Sequence, residues 1–314
     1  MKNTPFLLAV ALTGLSAPAS AITVTLTSGN AAGTSGINSA TGWSNGAAPS
    51  AGNTYEASTT WLRTPTSSGD FVFAGDSLQL NTGGAILTKN TGAQSLTANL
   101  ILNGGFVRSG AGYSDTFTLA GTIHITSIGG GIVADQSPFV ISADLTGTSG
   151  TLVFANSGAD VGSSASGPGR VMSYTGTSTF TGDLSVLASA EGGVTFSSTS
   201  SWTFGIGASG VNNTITGSGA ITYAGTFLFD LTAASSVVGD SWLLSSVTTQ
   251  TFDSSFAVDG FANQGDGTWT QTIDPSKSYE FDTATGTLSV VAVPEPSVAL
   301  LGLLGGLGLI RRRR

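Results

Sequence analysis

Cysteine is absent from the 314 residues. Disulfides, thiolate nucleophiles and Cys-based metal sites are thereby excluded. Histidine occurs once, so any histidine-dependent catalysis would have to run through His124. Basic residues are scarce as well. Between residues 22 and 292 they are Arg63, Lys89, Arg108, Arg170 and Lys277, against seventeen Asp and Glu, a formal balance of −12. That sum makes nucleic acid an unsuitable partner, because phosphate binding demands a basic surface. By the same sum an anionic polysaccharide is repelled unless cations bridge the two. No stretch of this region keeps a 3.6-residue period, so helices are not expected.

What is present is a recurrence of short alternating runs. Ile22-Thr23-Val24-Thr25-Leu26 opens the series with one apolar face. Comparable runs follow at Asp70–Phe73, Ser77–Leu80, Leu100–Leu102, Thr116–Leu119, Thr122–Thr126, Phe139–Ala143 and Thr151–Phe154. Others lie at Thr179–Val186, Gly193–Phe196, Trp202–Phe204, Ala220–Tyr223 and Thr226–Asp230. Glycine and Asn corners separate them, which is the pattern of short strands. Disordered chains with few charges lack such recurrence. The fold class read from this is all-β.

Some segments echo one another at a spacing near twenty residues. Phe117-Thr118-Leu119-Ala120-Gly121-Thr122-Ile123 has its counterpart in Thr179-Phe180-Thr181-Gly182-Asp183-Leu184-Ser185-Val186. The second, with Ser173-Tyr174-Thr175-Gly176-Thr177-Ser178 before it, resembles the autotransporter-associated β-strand repeat. That resemblance implies a rung of a right-handed parallel β-helix, in which apolar side chains line the interior and Thr, Ser and Asn form outward ladders. One or two β-sandwich domains are the alternative. Residues 22–238 are therefore expected to form the solenoid. From Gly239 to Ala292, aromatic and acidic residues concentrate, as in a C-terminal β unit closing the open end of the stack.

Both ends of the chain carry addresses. Met1-Lys2, the apolar run Phe6–Leu15 and the small-residue site Ala19-Ser20-Ala21 have the form of a signal peptide cut after residue 21. At the other end, Val293-Pro294-Glu295-Pro296 precedes an apolar run over 297–310 and then Arg311, Arg312, Arg313 and Arg314. Two prolines keep the first part extended. The arginines favour the cytoplasmic side of a membrane. Fourteen helical residues would span about 21 Å, short of the roughly 30 Å hydrocarbon core, which suits a transient stay better than a permanent one. The tripartite segment 293–314 resembles the PEP-CTERM sorting signal. By that resemblance the tail is read by exosortase near Pro294-Glu295-Pro296, after transient inner-membrane anchoring, and the product passes to the cell surface or extracellular matrix.

Catalytic motifs do not hold together. Gly75-Asp76-Ser77-Leu78 spells the nucleophile block of GDSL-type esterases, but the family's later Asp-x-x-His element is missing. His124 lies in a strand, opposite in face to Ile123 and Ile125. Gly205-Ile206-Gly207-Ala208-Ser209-Gly210 matches the dinucleotide-binding glycine pattern, yet a turn and strand follow it where a helix is required. Asp259, Asn263 and Asp266 could offer oxygen ligands to calcium, without EF-hand spacing. Asp70 and Asp76 are near in sequence, and Trp43, Trp61, Trp202, Trp242 and Trp269 could stack on sugars or pack. The expectation is an exported, non-enzymatic surface or matrix protein with no catalytic residues, cofactor or metal. Its partners would be exosortase and the secretion machinery, and beyond these an extracellular polysaccharide. Carbohydrate binding and a β-helical polysaccharide hydrolase or lyase are the rival readings. Outward aromatic rows would mark the first, an acid pair in a groove the second.

Overall fold

The computed structural model describes residues 21–28, 36–89, 91–110, 115–156, 170–188 and 193–293. Within them every regular element is a strand. Alternating apolar residues need a shared interior, and parallel stacking supplies it. Val24 aligns with Tyr55, Tyr55 with Leu78, Leu78 with Leu100, Leu100 with Ile123, and Ile123 with Leu145. The last three steps are 22, 23 and 22 residues, so one turn of the coil takes roughly the length expected.

Three columns of parallel strands wrap one core. The first begins with Ile22–Thr25, Asn53–Ala57 and Ser77–Asn81, and continues to Thr226–Asp230 and Ala257–Val258. The second includes Trp61–Arg63, Ala85–Thr88, Phe106–Ser109, Gly130–Val133, Thr151–Ala155 and Asp183–Val186. The third includes Gly69–Val72, Phe139–Ile141, Met172–Tyr174 and Val194–Phe196. Gln94–Asn103 and Phe117–Ile125 each turn a corner and serve the third column and then the first. The chain is a β-solenoid, as the resemblance to a β-strand repeat implied, and not a sandwich.

Strands buried on one face were legible, whereas those buried on both were not. Ala85–Thr88 and Phe106–Ser109 are covered throughout, so they show no alternation to read. Of the run expected at Thr179–Val186 only Asp183–Val186 is a strand, and Thr177–Ser178 is a separate short strand just ahead of it. Between them Phe180 turns into the core, with Gly182 packed so closely that a Cβ there would lie 2.4 Å from its ring. Conversely, the two runs expected around residue 121 are one strand. The look-alike segments 117–123 and 179–186 do not occupy equivalent places: Ile123 belongs to the first column and Leu184 to the second.

Past Gly239 the chain interleaves two structures. Ser245–Phe252 and Ala257–Val258 finish the parallel stack. Ser241–Leu243, Thr287–Ala292, Lys277–Asp282, Thr268–Asp274 and Ala262–Asn263 form a five-stranded antiparallel sheet. The buried Phe281 of that sheet meets Phe227 and Phe229 of the last rungs at 5.8 and 5.6 Å between ring centroids. Such pairs each contribute about 0.5–1.5 kcal/mol beyond their buried area.

Candidate functional site

Parallel stacking places like positions of successive turns side by side, about 4.8 Å apart. On the outside of the first column this produces a continuous side-chain ladder. Thr25 Oγ1 donates to Glu56 Oε1 at 3.1 Å, and Asn81 Nδ2 donates to Glu56 Oε2 at 3.4 Å. Asn103 Nδ2 donates to Asn81 Oδ1 and Thr126 Oγ1 to Asn103 Oδ1, both at 2.8 Å. Five turns are thus stitched by one hydrogen-bonded line. The 22-residue interval between Asn81 and Asn103 was the signal in the sequence that could have announced it. Asn103→Ala removes two of these half-exposed bonds and is expected to cost about 1 kcal/mol, read as a lower urea midpoint. An unchanged midpoint would show the ladder to be energetically idle.

The acids are occupied in the same way. Asp70 Oδ1 accepts from Ser95 Oγ at 2.5 Å, and Asp76 Oδ1 accepts from Gly52 N at 2.9 Å. Asp144 Oδ1 accepts from both the amide (3.2 Å) and the hydroxyl (2.5 Å) of Thr177, one turn on. Hydrogen bonds from Thr232, Ser255, Thr268 and Ser276 hold Asp230, Asp253, Asp266 and Asp274 below the usual 3.8. A depressed carboxyl contributes stability above its unfolded value, and that contribution is lost as pH falls through the lower folded value. Thermal midpoints should therefore hold from pH 7 to about 4.5 and fall only below about pH 3.8. Loss beginning near pH 6 would contradict this.

A concavity of about 610 Å³ lies where the first column turns into the second. Asp183, Asp230, Asn212, Asn213, Thr181 and Thr232 line it. Asp183 Oδ1 accepts from Thr214 N at 2.8 Å and Thr214 Oγ1 at 3.0 Å, while Asp230 Oδ1 accepts from Thr232 Oγ1 at 2.7 Å. Neither acid stood out in the sequence. A general acid needs a raised pKa, and the hydrogen bonds from Thr232 move Asp230 the other way. The groove offers hydroxyls, amides and two carboxylates, a surface suited to hydrogen-bonding a hydroxylated ligand.

The sequence motifs fall elsewhere. Gly205–Gly210 borders this groove as a turn, with Gly207 N donating to Val211 O at 2.8 Å and Ile206 bridged to Asn212, so no helix start is available for pyrophosphate. Ser77 and His124 sit on the same column, but His124 aligns through Ile101 with Gln79, two turns away. Two turns amount to about 10 Å, beyond nucleophile–base reach. His124 is exposed and its Nδ1 lies 3.2 Å from Thr146 Oγ1. Trp43, Trp202 and Trp242 are buried, and Trp61 and Trp269 are half-buried. No aromatic side chain is fully exposed among the described residues, and no group of three or more His, Asp or Glu converges there.

Ala21 is exposed ahead of the first strand, and exposed Val293 donates its amide to Ser276 O at 2.8 Å. Ala19, Pro294, Glu295, Pro296, the apolar run 297–310 and the four arginines lie outside the described residues. No described helix is long and apolar enough to cross a membrane. No protein-family model, curated protein or solved structure matches the chain.

Proposed function

We propose that this chain is an exported, non-enzymatic structural or interaction protein of the cell surface or extracellular polysaccharide matrix. Its route is a signal peptide over 1–21 and the sorting tail 293–314, which exosortase reads. The observation that carries the proposal is the tail itself, with Pro-Glu-Pro, apolar run and arginine cluster in that order at the terminus. Two features of the body support the scaffold role. Its polar side chains are spent on stitching turn to turn, and the described carboxyls with displaced pKa values all move toward the ionised form. The winding is taken to be right-handed, the sense that parallel crossovers adopt.

Cell fractionation with mass spectrometry of the product tests this. The native chain should leave the inner membrane shortened near residue 294. A Pro294→Ala/Glu295→Ala/Pro296→Ala variant should remain there uncut. Intact precursor in the cytosol, or identical processing of the variant, would overturn the proposal. The hydrolase reading rests on Asp183 and Asp230 sharing a groove. Polysaccharide cleavage lost in Asp183→Asn or Asp230→Asn would establish it instead.

A further inference from the structure

Four of the five bases between residues 22 and 292 gather at one corner, where the second column leads into the third. Arg63 ends Trp61–Arg63 and aligns through Leu87 with Arg108, two turns on. Lys89 lies between them just past Ala85–Thr88, and its Nζ donates to Gly110 O at 2.9 Å. Two turns past Arg108, the Arg170 amide donates to Ala134 O. Burial first, and then the charges of Arg63 and Arg108, lower the Lys89 pKa, as mutual crowding of cations requires. Arg108 is engaged with Asp135, whereas Arg63 Nε is buried without a hydrogen-bond partner.

Beside this basic row runs an apolar one. Trp61, Ala85, Phe106, Gly131 and Val153 align on consecutive second-column strands, with Ala85, Phe106 and Gly131 covered and Trp61 and Val153 half-buried. The Trp61 and Phe106 rings meet at 5.4 Å, nearly edge to face. Past Phe106 lies a depression of about 260 Å³ lined by Gly105, Gly130, Gly131, Ile128, Thr151 and Val153. An aromatic edge beside Arg63, whose Nε has no partner, and Lys89, whose Nζ makes one hydrogen bond, matches a sugar with an apolar ring face and a carboxylate.

We infer that the outer face of the second column binds the uronate units of an acidic polysaccharide, with Trp61 against the sugar ring and Arg63 and Lys89 on its carboxylates. The net charge of −12 is countered locally by Arg63 and Lys89, while the acid at this corner, Asp135, is paired with Arg108. Nucleic acid fits less well, since its denser charge meets a small patch on an acidic body. The inference deepens the matrix reading by naming the polymer class, and it rests on that reading only for where the polymer is met.

Affinity electrophoresis of the full chain tests it, with polygalacturonate, carboxyl-reduced polygalacturonate, polyglutamate and single-stranded DNA as probes. Polygalacturonate should bind at least tenfold more tightly than the other three, and less tightly as salt rises. Arg63→Gln/Lys89→Gln should weaken it about tenfold or more, in line with losing a charge-assisted contact. Trp61→Ala should weaken both the acidic and the reduced polymer, while Lys277→Gln should change nothing. Circular dichroism confirms that each variant stays folded. Equal binding of the reduced polymer, of polyglutamate or of DNA would overturn the inference, as would full affinity in the double variant. Because the assay is run on purified protein, its failure would leave the sorting experiment standing.

Discussion

Gly121→Val should destabilise the solenoid by about 4 kcal/mol or more, among the largest effects a single substitution produces. Gly121 sits inside Phe117–Ile125 where that strand turns from the third column to the first, with φ at +97°. A side chain in that region of φ costs about 1–2 kcal/mol by itself. The larger part is steric. A Cβ at residue 121 would lie 2.3 Å from Ala98 O and 3.0 Å from Ala98 N, both backbone atoms of the preceding turn. Neither can move without parting the ladder between Ala98 and Gly121, and strand pairing on both sides depends on it. Gly210→Ala is the control. Its φ is +75° but the space around it is open, so only the conformational cost of about 1–2 kcal/mol remains. Urea unfolding of the two variants reads the difference. Near-equal losses would mean that close stacking at this corner is not what demands glycine.

Arg108→Met should cost about 3–5 kcal/mol, because it leaves Asp135 charged and buried. Arg108 is 3% exposed and Asp135 0%, and the Arg108 Nε donates to Asp135 Oδ2 at 2.9 Å across one turn of the coil. The cost comes from stranding one ion and not from losing a strong bond. Replacing both, as Arg108→Met/Asp135→Leu, should therefore restore most of the stability. The double variant separates the two explanations in the same unfolding experiment. If it is as unstable as Arg108→Met, the pair contributes net stability and the argument from desolvation fails.

The chain's own letters made some of this plain and hid the rest for identifiable reasons. Alternation exposed strands such as Ser77–Asn81, whose pattern has every second residue buried. Gly130–Val133 stayed hidden because three of its four residues are buried, leaving no period to detect. The 22-residue interval between Asn81 and Asn103 was there to be read, but a single repeated Asn pair does not stand out in so polar a chain. Asp183 and Asp230, 47 residues apart, gave no hint, and only the coil brings them to one groove. The sum of charges did not show where the bases lie. Averaged over the chain they are outnumbered, yet Arg63, Lys89 and Arg108 recur about once per turn and meet at a single corner.

Alone, the order of residues decided that this molecule is built of short strands around an apolar interior, and it spelled out the Pro-Glu-Pro, apolar and arginine segments on which the proposed sorting rests. Both are local properties, set by side-chain alternation and by the chemistry of a contiguous segment. Tertiary structure alone decided which side chains become neighbours. Leu145 meets Ser178 after 33 residues, whereas Ile123 meets Leu145 after 22. Lengthening a corner costs little entropy, so the turn length drifts along the chain while the backbone ladder keeps its spacing. The ladder, the groove and the basic corner all follow from that stacking register.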